Sequence, residues 1–237
     1  MSMTFSELLT EARNIGTPLP KVVVRLIVNY VISNRKIKSY LANPGLKALH
    51  IGCGERIISG WLNADLYPYA INAVYLNATK KFPFADMTFD CIYTEHMIEH
   101  ISYFEGVSMI RQCYRVLKTG GKLRVATPDL RFLMELCQTQ KTSLQKDYIK
   151  WQTDNFLHGI DRYEDVFVIN NYVRAWGHQF IYDENTLATE LERAGFTDIE
   201  RFQVNVSKCE PLKGLELTDR LPRGMYEMET IVFEAKK

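Results

Sequence analysis

The chain has 237 residues, 46% of them apolar, and its 29 Lys and Arg against 28 Asp and Glu leave a formal net charge of +1. That length suits one α/β domain with an insertion and an ample buried core. The balanced charge excludes a disordered chain and a general nucleic-acid field. Five widely spaced cysteines, with no C-x-x-C pair, argue for reduced thiols in a cytoplasmic protein rather than a disulfide framework or a zinc site. No signal peptide, repeat or low-complexity tract is visible.

Residues 4–16 read as a short helix, with Thr4 or Ser6 as cap and Gly16 as stop. Pro18 and Pro20 open an apolar run from Lys21 to Ile32, interrupted only by Arg25 and Asn29. It is too short and interrupted to span a membrane. Arg35, Lys36 and Lys38 follow it, which makes an interfacial membrane helix one reading. A helix covering the sheet or a cofactor is the preferred one, and Asn43-Pro44-Gly45 ends this extension.

Lys47-Ala48-Leu49-His50-Ile51-Gly52-Cys53-Gly54 then runs as a buried strand into a glycine turn, and Asp65 ends a second strand from about Trp61. Doubly wound α/β folds hold nucleoside-like cofactors this way: the strand delivers the turn to the carboxyl edge, the glycines remove obstructing Cβ atoms, and the carboxylate accepts both ribose hydroxyls. Only 11 positions separate Gly54 from Asp65, where a dinucleotide pattern expects about 20. That leaves no room for a full crossover helix. Ala73 to Leu76 reads as the third strand, with Asn77-Ala78-Thr79 as its exit.

Cys91-Ile92-Tyr93-Thr94 is a fourth, buried strand, and the titratable residues Glu95, His96, Glu99 and His100 follow it at the edge where such sheets bind ligands. Ser102 and Glu105 form a capping box. Phe104, Val107, Ile110, Tyr114 and Leu117 recur at helical spacing as a packing face, and Gly120 ends that helix. Lys122 to Ala126 makes the fifth strand and Thr127-Pro128-Asp129 its exit. Asp129 can cap a helix bearing Leu130, Leu133 and Cys137, while Leu144, Tyr148 and Trp151 mark another. Eight aromatic residues fall between Asp129 and Gly177. A helix follows Asp183, with Leu187, Leu191 and Ala194 on one face. Thr197 to Val206 and Glu229 to Ala235 are expected as antiparallel neighbours, because no helix-length apolar pattern separates them and parallel strands need a crossover. Arg220 and Arg223, in the long excursion between them, are candidates to bind an acidic acceptor.

The glycine turn, then Phe82-Pro83-Phe84 with Phe89-Asp90, then Glu95-His96 and Ile98-Glu99-His100, then Arg115-Val116-Leu117-Lys118-Thr119-Gly120-Gly121 resemble the class I S-adenosylmethionine-dependent methyltransferases, especially their small-molecule branch. The likeness runs closely over Leu46 to Val125 and loosely from Phe180 to the C-terminus. It implies a Rossmann-like α/β fold: a doubly wound, mostly parallel seven-stranded sheet with an antiparallel last strand. A helical extension (1–43), a core (44–128 and 179–237) and an inserted cap (129–178) would make one domain.

The resemblance also implies S-adenosylmethionine bound by Gly52, Cys53, Gly54, Asp65, Leu66, Asn77, Ala78 and Thr94. The reaction would be in-line methyl displacement to a small polar acceptor, a saccharide or another hydroxyl or amine compound. His96 is the first candidate for a base, followed by Glu95, Asp129 and His100. No metal and no nucleic acid are expected. Arg56 stands where the family often has a third glycine. With the short crossover, this counts against a pyrophosphate at a helix N-terminus, hence against a nicotinamide-dependent oxidoreductase. A non-catalytic binding protein that keeps the fold is the other alternative. The deepest pocket is expected between the Gly52–Gly54 turn, Glu95–His96 and aromatics from Tyr148 to Trp176.

Overall fold

The computed structural model describes residues 32–68, 70 and 72–237. The helix expected over 4–16, and all but the last residue of the 21–32 run, lie outside the described residues. Residues 32–42 are helical (α1). This helix does cover the sheet: Ile37 is buried, the Tyr40 hydroxyl pairs with both the N–H and the C=O of Ala48, and Ser33 Oγ accepts from Tyr75 N–H.

Strands β1 (Ala48–Ile51), β2 (Leu62–Asp65), β3 (Ala73–Tyr75), β4 (Phe89–Glu95), β5 (Leu117–Pro128), β6 (Thr197–Phe202) and β7 (Thr230–Lys236) form one sheet in the order 3-2-1-4-5-7-6. β1 to β5 run parallel to one another, and β7 is antiparallel to both β5 and β6. The expected closure therefore holds, although β6 is shorter than its predicted run to Val206. The apolar runs of β1 and β4 are buried almost throughout, as parallel strands covered on both faces must be. The chain builds outward from β1 to β3 and then returns to place β4 beside β1. The gap between the exits of β1 and β4 is the topological switch point where open α/β sheets bind ligands.

The other α-helices of the described residues are α2 (Tyr103–Val116), α3 (Leu130–Glu135), α4 (Ser143–Phe156), α5 (Asp165–Arg174), α6 (Glu184–Arg193) and α7 (Met225–Glu229). The Ser102–Glu105 capping box opens α2, but its predicted packing face is offset. Phe104 is 81% exposed, and the buried face is Gly106, Met109, Ile110, Cys113 and Val116. The helix also stops before Gly120, because Leu117 already belongs to β5 and pairs with Phe89. Gly120 (φ +79°) instead turns within the β5 segment, with its N–H on Lys237 O.

The main core lies between the sheet, α2 and α6. A second core joins Phe132, Leu133, Tyr148, Ile149, Val168 and Tyr172 of the inserted helices to Ile181 and Met225. Arg124 in β5 is fully buried: Nε and Nη2 donate to the Glu216 carboxylate at 2.7 and 2.8 Å, and Nη1 donates to Glu234 at 2.6 Å. All five cysteines are free thiols. Among the described residues no helix is long and apolar enough to cross a membrane.

Candidate active site

The glycine turn leaves β1 at the switch point, and Gly52 and Cys53 both donate to Ala64 O, at 2.8 and 3.1 Å. The two glycines do different work. Gly52 (φ +71°) has no room for a side chain, because an added Cβ would stand 2.2 Å from Met97 Cγ, so Met97 of the β4 exit rather than a cofactor occupies that space. Gly54 (φ +52°) faces open space, with nothing within 4 Å of an added Cβ. Its N–H donates to Asp65 Oδ2 at 2.9 Å, and Asp65 Oδ1 accepts from Tyr67 N–H at 2.8 Å. The carboxylate that ends β2 thus sits against the open glycine. No helix forms between β1 and β2, as the 11-residue spacing required.

Cys53 is buried, and Leu66, Asn77 and Ala78 are half-buried at the exits of β2 and β3. Asn77 Oδ1 accepts from the Thr79 amide and hydroxyl, at 2.9 and 2.7 Å, so it makes the turn that Asn residues favour. Thr94 is wholly buried, and its hydroxyl has no hydrogen-bond partner among the described residues.

At the β4 exit, Glu95 is buried and saturated. It accepts from Arg56 Nη1 (2.8 Å), Leu217 N–H (2.8 Å) and the Tyr226 hydroxyl (2.6 Å), with Arg220 at 3.5 Å. Burial alone would raise its pKa, but these hydrogen bonds and charges outweigh burial and hold it below the usual carboxylate range. A carboxylate so engaged is a brace. Arg56, the residue that departs from the family pattern, ties the glycine turn to β4 through it. Asp129 is likewise structural: Oδ1 caps α3 by accepting from Arg131 N–H at 2.8 Å.

His96 adopts φ +45° at the strand exit, with Nδ1 3.3 Å from Glu99 Oε1 and Nε2 3.3 Å from Thr230 Oγ1. Burial would lower its pKa, but the Glu99 hydrogen bond and the charges of Glu99, Glu229 and Glu95 more than offset this, and the net direction is upward.

His96 and His100 line a cavity of about 380 Å³ together with Glu99, Trp151, Phe156, Tyr172, Trp176 and His178. Arg220, Tyr226 and Glu229 from the excursion before β7 close it. The predicted aromatic wall is present. The Gly52–Gly54 turn and Glu95 are not among the lining residues. Arg223 is exposed and outside the lining. The wall is built as a chain of ring contacts, Trp151–Phe156 at 5.4 Å, Phe156–Trp176 at 5.1 Å and Trp176–His178 at 5.6 Å between centroids.

A family model described as a methyltransferase domain matches residues 29–201, almost three quarters of the chain. The chain belongs to the methyltransferase-domain family. No curated relative matches this methyltransferase. Among solved structures, an S-adenosylmethionine-dependent methyltransferase from Archaeoglobus fulgidus aligns at 17% identity and a TM-score of 0.49, covering 90% of this chain and 94% of the other. One from Mesorhizobium loti aligns at 16% and 0.49, covering 84% and 96%. The Haemonchus contortus phosphoethanolamine N-methyltransferase 2, in complex with S-adenosyl-L-methionine, aligns at 14% and 0.43, covering 86% of this chain and 52% of that one.

Residues at the open glycine fit the S-adenosylmethionine that the resemblance implies. The open face at Gly54 and the adjacent Asp65 carboxylate offer a ribose diol a close backbone and an acceptor. The missing crossover helix costs little where no pyrophosphate is bound.

Proposed function

We propose that this methyltransferase transfers the sulfonium methyl of S-adenosylmethionine to a hydroxyl or amine of a small polar acceptor, a saccharide or another such compound. The acceptor sits in the cavity between the β4 exit and the inserted cap, residues 129–178. The observation that carries this reading is the cavity itself: about 380 Å³, walled by Trp151, Phe156 and Trp176 and holding His96, Glu99 and Arg220. Small-molecule sites are apolar clefts of roughly 300–1,000 Å³ with a few polar groups that set orientation.

Gly54 and Asp65, with Leu66 and Ala78 beside them, hold the cofactor, which supplies the electrophilic methyl. Glu99 Oε1, 3.3 Å from His96 Nδ1, keeps the proton on that nitrogen, which leaves Nε2 as the basic atom. The chemistry the cofactor would supply is an in-line displacement at the methyl carbon, with the acceptor as nucleophile and the sulfide as leaving group. The acceptor's proton passes to His96 Nε2. The aromatic wall keeps water out and holds the acceptor in line, which can be worth several kcal/mol.

A panel of sugars, phenols and amines tested for S-adenosylhomocysteine formation checks this. His96→Ala should lower kcat by about 10²–10⁴-fold with cofactor affinity retained. Equal kcat in both proteins would remove His96 as the base. A folded, cofactor-binding wild type that is silent on the whole panel would favour the non-catalytic alternative.

A further inference from the structure

Glu99, His100 and His178 bring one ligand atom each within 4.8 Å of one another at the wall of the acceptor cavity. We propose that they form a binding site for a divalent transition-metal ion, open toward the acceptor.

Glu99 is 0% exposed, and its two oxygens are treated unequally. Oε2 accepts from the Thr127 hydroxyl at 3.1 Å, whereas Oε1 has only the 3.3 Å approach of His96 Nδ1. His100 Nε2 stands farther off, 3.9 Å from the same oxygen. A buried carboxylate oxygen with a single long donor contact is under-satisfied, and a cation at that point offsets the cost. A carboxylate oxygen has two lone pairs, so contact with His96 leaves one for a metal.

His178 is prepared for ligation. Its Nδ1 lies 2.6 Å from Tyr172 O, so that nitrogen carries the proton and donates to the carbonyl, leaving the Nε2 lone pair free. Metal-binding histidines are oriented in this way by a backbone carbonyl. The His100 and His178 rings stand 4.9 Å apart between centroids.

The two halves of the site come from distant sequence and are locked together by the protein alone. Gln179 and Phe180 N–H both donate to Glu99 O, at 2.7 and 3.2 Å, and Gln179 Nε2 donates to His100 O at 2.8 Å. The site is therefore preorganised rather than gathered by the ion. Two imidazoles and one carboxylate suit zinc, iron(II), cobalt(II) or manganese(II) better than calcium or magnesium, which take oxygen shells. Three protein ligands leave positions open, as in metal sites that bind substrate. Assigning those positions to acceptor oxygens rests on the function proposed above; the metal site itself does not.

Metal-stripped full-length protein is titrated with Co2+, followed by visible absorption and calorimetry, with Zn2+ as competitor. Cofactor affinity is measured on the same samples. The site predicts one Co2+ per chain, d–d bands without a thiolate charge-transfer band, and displacement by Zn2+. His100→Gln and His178→Gln should each weaken Co2+ at least as much as loss of an outer-shell partner does, roughly 10–100-fold. Both imidazoles are partly exposed, so the substitutions spare the core, and retained S-adenosylmethionine binding shows that the variants fold. Absence of stoichiometric Co2+ binding, a thiolate band, or unchanged affinity in both variants would overturn the metal site. Failure of the acceptor panel with Co2+ bound would overturn the acceptor reading and leave the metal site standing.

Discussion

Two single residues give the plainest tests. Asp65 ends β2 against the open Gly54 and accepts that residue's N–H. Asp65→Ala should fold and lose roughly 1.5–3 kcal/mol of S-adenosylmethionine affinity, the scale of hydrogen bonds to a charged group. Calorimetry with undiminished affinity would take Asp65 out of the site. His50, in the middle of β1, is 2% exposed and packs 5.3 Å from the Tyr93 ring, with Nδ1 3.1 Å from Asn63 Oδ1. Burial lowers its pKa from 6.5 to about 4, against a smaller opposing effect of the Asn63 hydrogen bond. The folded state thus holds the proton less tightly than the unfolded chain. As pH falls from 6.5 toward 4, the unfolded chain takes up a proton the native state refuses, so stability is lost in that window by about 3 kcal/mol. Urea midpoints measured across the window should drop less steeply for His50→Gln than for wild type. Parallel slopes would mean that the native imidazole is protonated at little cost.

At the scale of elements, buried charge ties the strand ends together. Arg124 of β5 joins Glu234 of β7 to Glu216 of the excursion after β6, and all three side chains are 0–3% exposed. Arg124→Met would leave Glu216 without a counter-charge and Glu234 with only Lys122 at 3.9 Å, and removing one side of a buried ion pair costs about 3–5 kcal/mol. Adding Glu216→Gln and Glu234→Gln should return part of that loss, and urea unfolding of the single and triple variants measures both. A single variant within about 0.5 kcal/mol of wild type, the ordinary range of surface substitutions, would show that the network contributes little. The same physics holds the site's edge, where Arg56 and Arg220 approach Glu95 from opposite ends of the chain.

At the scale of the whole molecule, the inserted helices share a core with Ile181 and Met225 and turn an aromatic wall toward the β4 exit. If that wall is the acceptor site, Trp151→Ala and Trp176→Ala should raise the acceptor KM severalfold while the cofactor Kd stays as in wild type. Equal losses of both would point to a general loosening of the cap. A structure with cofactor bound should place an atom of residues 129–178 within about 8 Å of the sulfonium methyl, the reach of contact through one bridging water. A larger separation would put the acceptor elsewhere.

Local chemistry made the strands, the glycine turn, the Asp65 position, the capping box of α2 and the antiparallel closure legible in the sequence alone. Each depends on residues that are neighbours along the chain: an apolar run, a glycine that can take positive φ, a cap three residues from its partner, or the absence of a crossover helix. Periodicity located α2 but misplaced its face, because Phe104 fits the helical spacing whether or not anything packs on it. Spacing likewise could not show that Gly52 makes room for Met97 or that Arg56 neutralises Glu95, whereas the Asp129 cap was legible. Tertiary structure alone decided which titratable groups meet. His178 stands 79 positions beyond Glu99, and only the path of the chain from β5 through the inserted helices returns it to the turn after β4. Contacts at that separation are set by how the layers pack, which no local pattern encodes.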